Sequence, residues 1–201
     1  MTEPGASVVR RNRRAEARRA EILRAAAEEF LASGYEGATL EAVGERVGLS
    51  KASLYYYVRS KEDLLAEILV DVLDRIEAAL AEADVGDDPV LRLRVLCRKH
   101  VEVTCSDARG QLIARHNQVR ERATEFAHTD GRYRRVIETI VADGIKAGVF
   151  RPVDLNAFGW TFMLAMNGTA SWWTPGDLRT PEQVADEVLS YFLAGLLLKP
   201  R

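Results

Sequence analysis

The sequence lacks features that several classes of protein require. Its 201 residues include only two cysteines, Cys97 and Cys105, too few for the disulfide framework of a small secreted domain. No apolar run approaches the roughly 18 residues of a membrane-spanning helix, and residues 1–15 lack the apolar core of a secretory signal. We therefore expect a cytoplasmic protein with no membrane partner.

The sequence also lacks the short motifs by which many enzymes are recognised. No nucleophile elbow, phosphate-binding Walker loop or dinucleotide-binding glycine pattern is present, and the only histidines are His100, His116 and His128. We predict that the protein is not an enzyme, has no catalytic residues, and needs neither a cofactor nor a metal ion.

A lesser alternative is a metal or redox sensor built on Cys97, His100 and Cys105. These residues fall on one predicted helix, where Cys97 and His100 lie one turn apart. Cys105 lies too far along that helix for all three side chains to reach one ion without a second chain. The alternative therefore stays open but is not preferred.

Alternation of apolar and polar residues nowhere extends beyond a few positions, so we predict an all-α fold. Apolar residues recur at helical spacing from Ile22 to Leu31, and Gly34 suits the left-handed position that ends this first helix. Capping residues and prolines mark the later helix starts. The further predicted helices span residues 40–47, 51–58, 61–83, 89–105, 111–147, 155–173 and 181–198. A bend near 128–131 would bring the total to about nine helices.

Residues 39–61 carry the most informative pattern, two short helices joined by a tight turn. Gly48 permits the turn, and Gly44 permits a close crossing of the two helices. Apolar side chains have the spacing to fill the wedge between them: Leu40, Val43, Val47, Leu49, Leu54 and Val58. This is the arrangement of a DNA-binding helix-turn-helix, whose second helix enters the major groove.

The outward-facing residues of this segment have the chemistry to contact a DNA duplex. Lys51 can donate to guanine, and the methyl group of Ala52 can contact thymine. The hydroxyls of Ser53, Tyr55 and Tyr56 can reach phosphate oxygens. The helix N-termini at Thr39 and Lys61 can bind phosphate through backbone N–H groups. The predicted DNA-binding residues are Thr39, Lys51, Ala52, Ser53, Tyr55, Tyr56 and Lys61.

Positive charge is concentrated near the start of the chain, although the formal net charge is only −2. Between residues 10 and 24, seven arginines face only Glu16 and Glu21: Arg10, Arg11, Arg13, Arg14, Arg18, Arg19 and Arg24. Such a segment is typical of a surface that meets a polyanion. A solubilising, disordered tail explains the charge alone equally well.

Residues 18–66 closely resemble the DNA-binding domain of the TetR family of bacterial repressors. The resemblance is carried by ILRAAAEEFLASGYEGATL and GLSKASLYYYVRSKEDLL. It implies a basic flexible arm at 1–17, a DNA-binding domain at 18–65 and a ligand-binding and dimerisation domain at 66–201. It also implies that Tyr57 packs rather than reads bases. Gly44 departs from the family, where alanine is more common.

Residues 137–196, from IETIVADGIKAGVF to SYFLAGL, resemble more weakly the TetR regulators of fatty-acid and sterol catabolism. That resemblance implies a small hydrophobic effector, with an acyl-CoA as the first candidate, bound between the central helices. The candidate ligand-binding residues are His100, Thr104, Arg115, His116, Asn117, Arg120, Trp160, Met163, Met166 and Asn167. Taken singly, the methionines and the tryptophan fit core packing better than ligand binding, and each arginine fits a surface ion pair to Glu121 or Glu125 better.

The last two predicted helices are too apolar to be solvated all round, which predicts a homodimer. A two-fold dimer presents two recognition helices to half-sites about 34–36 Å apart, hence to a palindromic operator. The helix from 62 to 83 belongs to both halves, so an effector can move the recognition helices through it. We expect a ligand-responsive repressor; an effector-independent DNA-binding protein and an activator are the alternatives.

Overall fold

The computed structural model describes residues 4–83, 85–115 and 124–198. Within them the predicted all-α fold is confirmed, and the only β structure there is an isolated bridge between Phe150 and Leu197. Numbered along the chain, the helices are α1 (Pro4–Gly37), α2 (Leu40–Arg46), α3 (Lys51–Tyr55), α4 (Lys61–Glu82), α5 (Pro89–Ser106), α6 (Ala108–Arg115), α7 (Thr124–Lys146), α8 (Leu155–Trp172) and α9 (Pro181–Leu196).

The chain divides into two compact units, Met1–Ile68 and Leu69–Arg201. The division lies three residues beyond the predicted boundary and falls inside α4. Helix α1 begins at Pro4, inside the stretch that was predicted to be a flexible arm.

The first unit contains the predicted helix signals in their predicted places. Ile22, Ala26 and Phe30 form the buried stripe of α1. Gly34 has φ of 70°, the left-handed conformation that interrupts the helix. The Thr39 hydroxyl accepts a hydrogen bond from the N–H of Ala42 at 3.1 Å and so caps α2.

In the second unit, α5 packs against α6, α7, α8 and α9. Asp88 caps α5, whose first residue is Pro89, and Asp154 caps α8. Thr180 forms a complete capping box with Gln183 at the start of α9. These local signals place the helix starts where the sequence predicts them.

Several predicted boundaries were wrong. Helix α3 ends at Tyr55 rather than near Val58, and α7 continues through the expected bend at 128–131. The break between α5 and α6 is Asp107 alone, narrower than the predicted interruption at 106–110. Gly110 makes so sharp a connection possible, since a Cβ there would lie 2.2 Å from the carbonyl oxygen of Val103. No helix in the described part of the chain is long and apolar enough to cross a bilayer.

Candidate nucleic-acid interface and ligand site

The two short helices of the first unit cross closely, as predicted. A Cβ at Gly44 would lie 2.9 Å from the carbonyl oxygen of Leu49, and Gly48 turns the chain with φ of 65°. Leu54 is completely buried between the helices, and Val43 and Val58 are nearly so. The apolar wedge therefore forms as expected and fixes which face of α3 remains outside.

The outer face of α3 carries the residues predicted to meet DNA. Lys51, Ala52 and Ser53 are exposed, and Tyr55 and Tyr56 are 48% and 87% exposed. Two large aromatic side chains exposed side by side, at the last residue of α3 and the residue after it, favour a partner surface. Tyr57 is half-buried with its ring edge-on to that of Tyr56, at a centroid distance of 5.5 Å.

Lys51 pairs with Glu41 on α2, and hydrogen bonding to that carboxylate raises the pKa of the lysine. Both side chains are about half-exposed. Exposed ion pairs contribute little to stability, so a DNA base or phosphate can replace Glu41 as the partner of Lys51 at small cost.

The ammonium group of Lys61 has a role that sequence reasoning missed. Its Nζ donates to the carbonyls of Tyr35 at 2.8 Å, Glu36 at 3.3 Å and Ala38 at 2.9 Å, and it lies 4.9 Å from the centre of the Tyr35 ring. These carbonyls lie at the end of α1 and one residue beyond it, and the ammonium group caps this helix end. A phosphate contact by Lys61 therefore stays a prediction for its backbone N–H.

Two arginines of the basic segment also have internal partners. Arg18 donates to the carbonyl of Val47, at the end of α2, at 2.7 Å. Arg19 donates to the carbonyl of Tyr57, just beyond α3, and pairs with Glu67 on α4. These arginines hold the helix-turn-helix in place.

Arg14 differs from them because it is exposed. It borders a groove of about 730 Å³ whose other walls include Arg18, Tyr56 and Tyr57. The exposed positive charge of α1 and the exposed aromatic face of α3 thus border one groove.

The second unit contains a buried polar cluster on three helices. His100 on α5 is only 3% exposed. Its Nδ1 lies 2.7 Å from the hydroxyl of Tyr133 on α7, and its Nε2 lies 2.9 Å from Oδ1 of Asn167 on α8. Since Oδ1 can only accept, Nε2 donates to it and Nδ1 accepts from Tyr133. Burial lowers the pKa of His100 to about 4, so the cluster is uncharged at neutral pH.

The structure brings some predicted ligand residues near this cluster but not all. The hydroxyl of Thr104 is buried and donates to the carbonyl of His100 at 2.9 Å, and Met163 and Met166 are buried. Trp160 differs from the expected pocket position, since it is 37% exposed and the Arg134 guanidinium lies over its ring.

The side chains of four predicted ligand residues are not described by the structure. Arg115 ends α6, but its side chain is not described, and His116, Asn117 and Arg120 lie outside the described residues. Tyr133 was missed by sequence reasoning. It stands four residues before Ile137, and that helical spacing could have placed it on the buried face of α7.

The cysteines do not join His100 in a common site. The Cys97 sulfur lies 3.0 Å from the Met166 sulfur, and burial raises the pKa of this thiol to about 12. The Cys105 sulfur lies 3.8 Å from the hydroxyl of Thr169. Among the described residues, no group of three or more histidine, cysteine, aspartate or glutamate side chains is arranged to hold a metal ion.

Ion pairs attach the part of α4 in the second unit to its neighbours. Arg109 pairs with Asp71 on α4 at 2.9 Å and with Asp107 at 2.8 Å. Arg75 on α4 also reaches Asp107, at 3.0 Å. Burial alone would raise the pKa of Asp107, but its hydrogen bonds from Arg109 and the charges of both arginines lower it to about 2. Asp107 is therefore a carboxylate that ties the α5–α6 junction to α4.

A helix-turn-helix joined to a larger helical unit is the architecture of a DNA-binding transcriptional regulator. Comparison with known families agrees. Residues 22–68 match the family model described as bacterial regulatory proteins, tetR family. Residues 86–196 match the one described as tetracyclin repressor-like, C-terminal domain. The chain belongs to the TetR family and is a repressor-type regulator of transcription.

Individual relatives are similar over nearly their whole length. The HTH-type transcriptional repressor KstR2 of Rhodococcus jostii (strain RHA1) is 29% identical over 188 residues, covering 89% of this chain and 91% of that protein. The crystal structure of apo AibR has a TM-score of 0.72 at 27% identity, covering 92% of this chain and 99% of AibR. AibR in complex with isovaleryl coenzyme A and operator DNA has a TM-score of 0.71 at 24% identity, covering 87% and 97%.

Proposed function

We propose that this regulator binds a palindromic operator as a homodimer and is released from it by a small hydrophobic or CoA-thioester effector. The observation that carries DNA recognition is the outer face of α3, where Lys51, Tyr55 and Tyr56 are exposed while Leu54 is buried. The proposed DNA contacts are Thr39, Lys51, Ala52, Ser53, Tyr55, Tyr56 and the N-terminus of α4 at Lys61.

Operator recognition is testable by selecting bound duplexes from a random pool and measuring affinity across salt concentrations. We expect an inverted repeat with half-sites about one helical turn apart. Lys51→Ala should cost about 1–3 kcal/mol and relax specificity at one base step. Lys146→Ala, an exposed lysine at the end of α7, is the matched control and should change neither property. Equal weakening of every sequence by Lys51→Ala would contradict base reading.

For the effector, the support is the uncharged cluster of His100, Tyr133 and Asn167 within an apolar bundle. An apolar site with few convergent polar groups is the usual form of a ligand pocket. Neutral groups suit the carbonyl of a thioester, ketone or amide better than a free carboxylate, which would be buried without an opposite charge. The complex of AibR with isovaleryl coenzyme A favours a CoA thioester as the first effector to test.

Effector binding is testable by titrating short acyl-CoA esters against the protein–operator complex, with the corresponding free acids beside them. We expect thioesters to release the operator and free acids to fail at equal concentration. Asn167→Leu should remove a hydrogen-bond partner of His100 and reduce the response at least tenfold. Release by free acids but not thioesters would contradict the proposed chemistry.

The proposed link between effector and DNA is α4. A ligand changes DNA affinity only if it binds the two conformations differently. Arg109 and Asp107 connect the α5–α6 junction to α4, so a shift of that junction would pull on the helix that follows the helix-turn-helix. Asp107→Asn should therefore weaken the effector response more than operator affinity itself.

The alternatives have less support. A metal or redox sensor would use Cys97, His100 and Cys105, but the two sulfurs contact different groups, Met166 and Thr169, and no three such side chains among the described residues are arranged to hold a metal ion. An effector-independent regulator would bind its operator equally with and without every acyl-CoA tested.

A further inference from the structure

The two C-terminal helices form an antiparallel hairpin with an apolar groove at its open end. There the backbone N–H of Arg151, before α8, donates to the carbonyl of Leu196, at the end of α9, at 2.9 Å. The groove has a volume of about 180 Å³ and is walled by Val153, Phe158 and Phe192. It is smaller than the roughly 300–1,000 Å³ of small-molecule pockets and suits a single side chain.

Leu178 lies at the closed end of the same hairpin and is fully exposed, at 101% of its reference area. Its loop is nevertheless held by defined contacts. The indole N–H of Trp173 donates to the carbonyl of Arg179 at 2.9 Å, and the Arg179 guanidinium lies over the Trp172 ring. The Asp177 carboxylate accepts from the N–H of Arg179 at 2.9 Å. An ordered loop that presents a leucine to water favours a surface that covers it.

Leu178 cannot fill the groove of its own chain. The 18 residues of α8 span about 27 Å, which separates the two ends of the hairpin. A second copy of the chain can fill it. A two-fold axis perpendicular to the hairpin brings each closed end against the other copy's open end, so the same contact forms twice.

Charge also matches between the two ends. Arg151 is exposed, and its Nε donates to the carbonyl of Gly195, which holds the guanidinium at the groove. Glu182, an exposed carboxylate in the first turn of α9, stands four residues after Leu178. The nearer positive charge, Arg179, is already paired with Asp177 and Glu187. A leucine entering the groove would therefore bring the carboxylate of Glu182 toward Arg151.

We propose that the groove takes Leu178 of a second copy of this chain, with Arg151 facing Glu182 of that copy, and that the contact occurs twice in each dimer. The inference rests on the proposed homodimer and specifies how its two hairpins are oriented.

Site-directed cross-linking tests the orientation. The native Cys97 and Cys105 are buried, so the reactive thiols are the introduced ones. With Leu178→Cys and Val153→Cys combined, a short bis-maleimide should convert most of the protein to a covalent dimer. Leu178→Cys alone, or combined with Thr139→Cys at an exposed position of α7, should give at least tenfold less. Efficient linking by Leu178→Cys alone would mean that the two closed ends meet at the axis, which overturns the proposal.

Dimer affinity gives a second test, measured by sedimentation equilibrium. Leu178→Ala removes the inserted side chain. Gly195→Leu fills the groove from within its own chain, since a Cβ there meets nothing within 4 Å. Because two contacts are lost per dimer, each variant should raise the dimer dissociation constant about 100-fold. A monomeric wild-type protein would defeat the proposed homodimer itself. A stable dimer unaffected by both variants would defeat only this contact.

A charge exchange tests the ionic part. Arg151→Glu and Glu182→Arg should each weaken the dimer several-fold, and the double variant should regain most of the loss because the pair reforms across the interface. A double variant that dimerises no better than the weaker single variant would contradict the pairing of these two residues.

Discussion

His100 is the residue whose chemistry depends most on its surroundings. Its two ring nitrogens are used within the protein, and burial disfavours the charged imidazolium. In the unfolded chain its pKa returns to about 6.5, whereas in the folded protein it is about 4. The unfolded chain therefore takes up a proton first as the pH falls, and folding becomes less favourable.

We expect the free energy of unfolding to fall by about 3 kcal/mol as the pH drops from about 6.5 to about 4. It can be measured by urea unfolding at pH 7, 6, 5 and 4. The variant His100→Gln should be less stable at pH 7 but should lose less stability over that window. Carboxylates titrate in both proteins, so the difference between the two curves is the decisive quantity. Parallel curves would contradict a buried neutral histidine.

Gly110 is a second residue whose identity decides the local structure, because it has no side chain. A Cβ there would lie 2.2 Å from the Val103 carbonyl oxygen and 2.9 Å from Cα of Thr104. Both obstacles are backbone atoms of α5 and cannot rotate away.

Gly110→Ala should therefore lower the free energy of unfolding by about 3 kcal/mol or more. Gly131→Ala in α7 is the control, because its Cβ would meet only the end of the Arg135 side chain at 3.4 Å. Alanine is the better helix former, so the control should be neutral or more stable by up to about 1 kcal/mol. Calorimetry compares the two. Equal effects would mean that the α5–α6 contact is not as close as described.

At the scale of the helices, α1 contains arginines with two different roles. Arg19 bonds to the end of α3 and to Glu67 on α4, while Arg14 is exposed beside the groove with Tyr56. The sequence does not distinguish these two arginines. The basic segment predicts only that all of its arginines attract a polyanion.

Replacing each arginine by glutamine should separate these roles. Arg14→Gln should leave the melting temperature unchanged and reduce the slope of log affinity against log salt by about 1, as loss of a phosphate contact does. Arg19→Gln should lower stability by about 1–3 kcal/mol, through the loss of charged hydrogen bonds, with little change in the slope. An unaltered slope for Arg14→Gln would remove this residue from the DNA interface.

Helix starts were predictable because they depend on neighbours in sequence. The capping box of Thr180 and Gln183 and the Asp88–Pro89 start involve residues at most three apart. The narrow break at Asp107 was not predictable. It depends on a contact between Gly110 and the Val103 backbone, and no local propensity reports that close approach.

At the scale of the whole molecule, the exposed apolar residues of α8 and α9 are the clearest sign of assembly. Leu164 is 52% exposed and Tyr191 66%. If these helices form the dimer, a charge at Leu164 would be buried there without a partner.

Leu164→Asp should therefore give a monomer with unchanged helical content by circular dichroism. Its operator affinity should fall at least 100-fold, because the two half-sites are no longer bound together. Leu91→Asp, at a 37% exposed leucine in the first turn of α5, is the control and should remain dimeric. A Leu164→Asp protein that stays dimeric would place the interface elsewhere.

The sequence by itself determined the all-α fold, the crossed pair of helices around Gly44 and the outer face of α3. Each of these depends on period, capping and glycine positions within short stretches of chain. Only the tertiary structure decided which polar side chains have internal partners. Lys61 caps α1 from 23 to 26 residues away, and His100 meets Tyr133 and Asn167 from positions 33 and 67 residues distant. Long side chains reach whatever backbone the fold brings near them, and that proximity is not encoded in any local pattern.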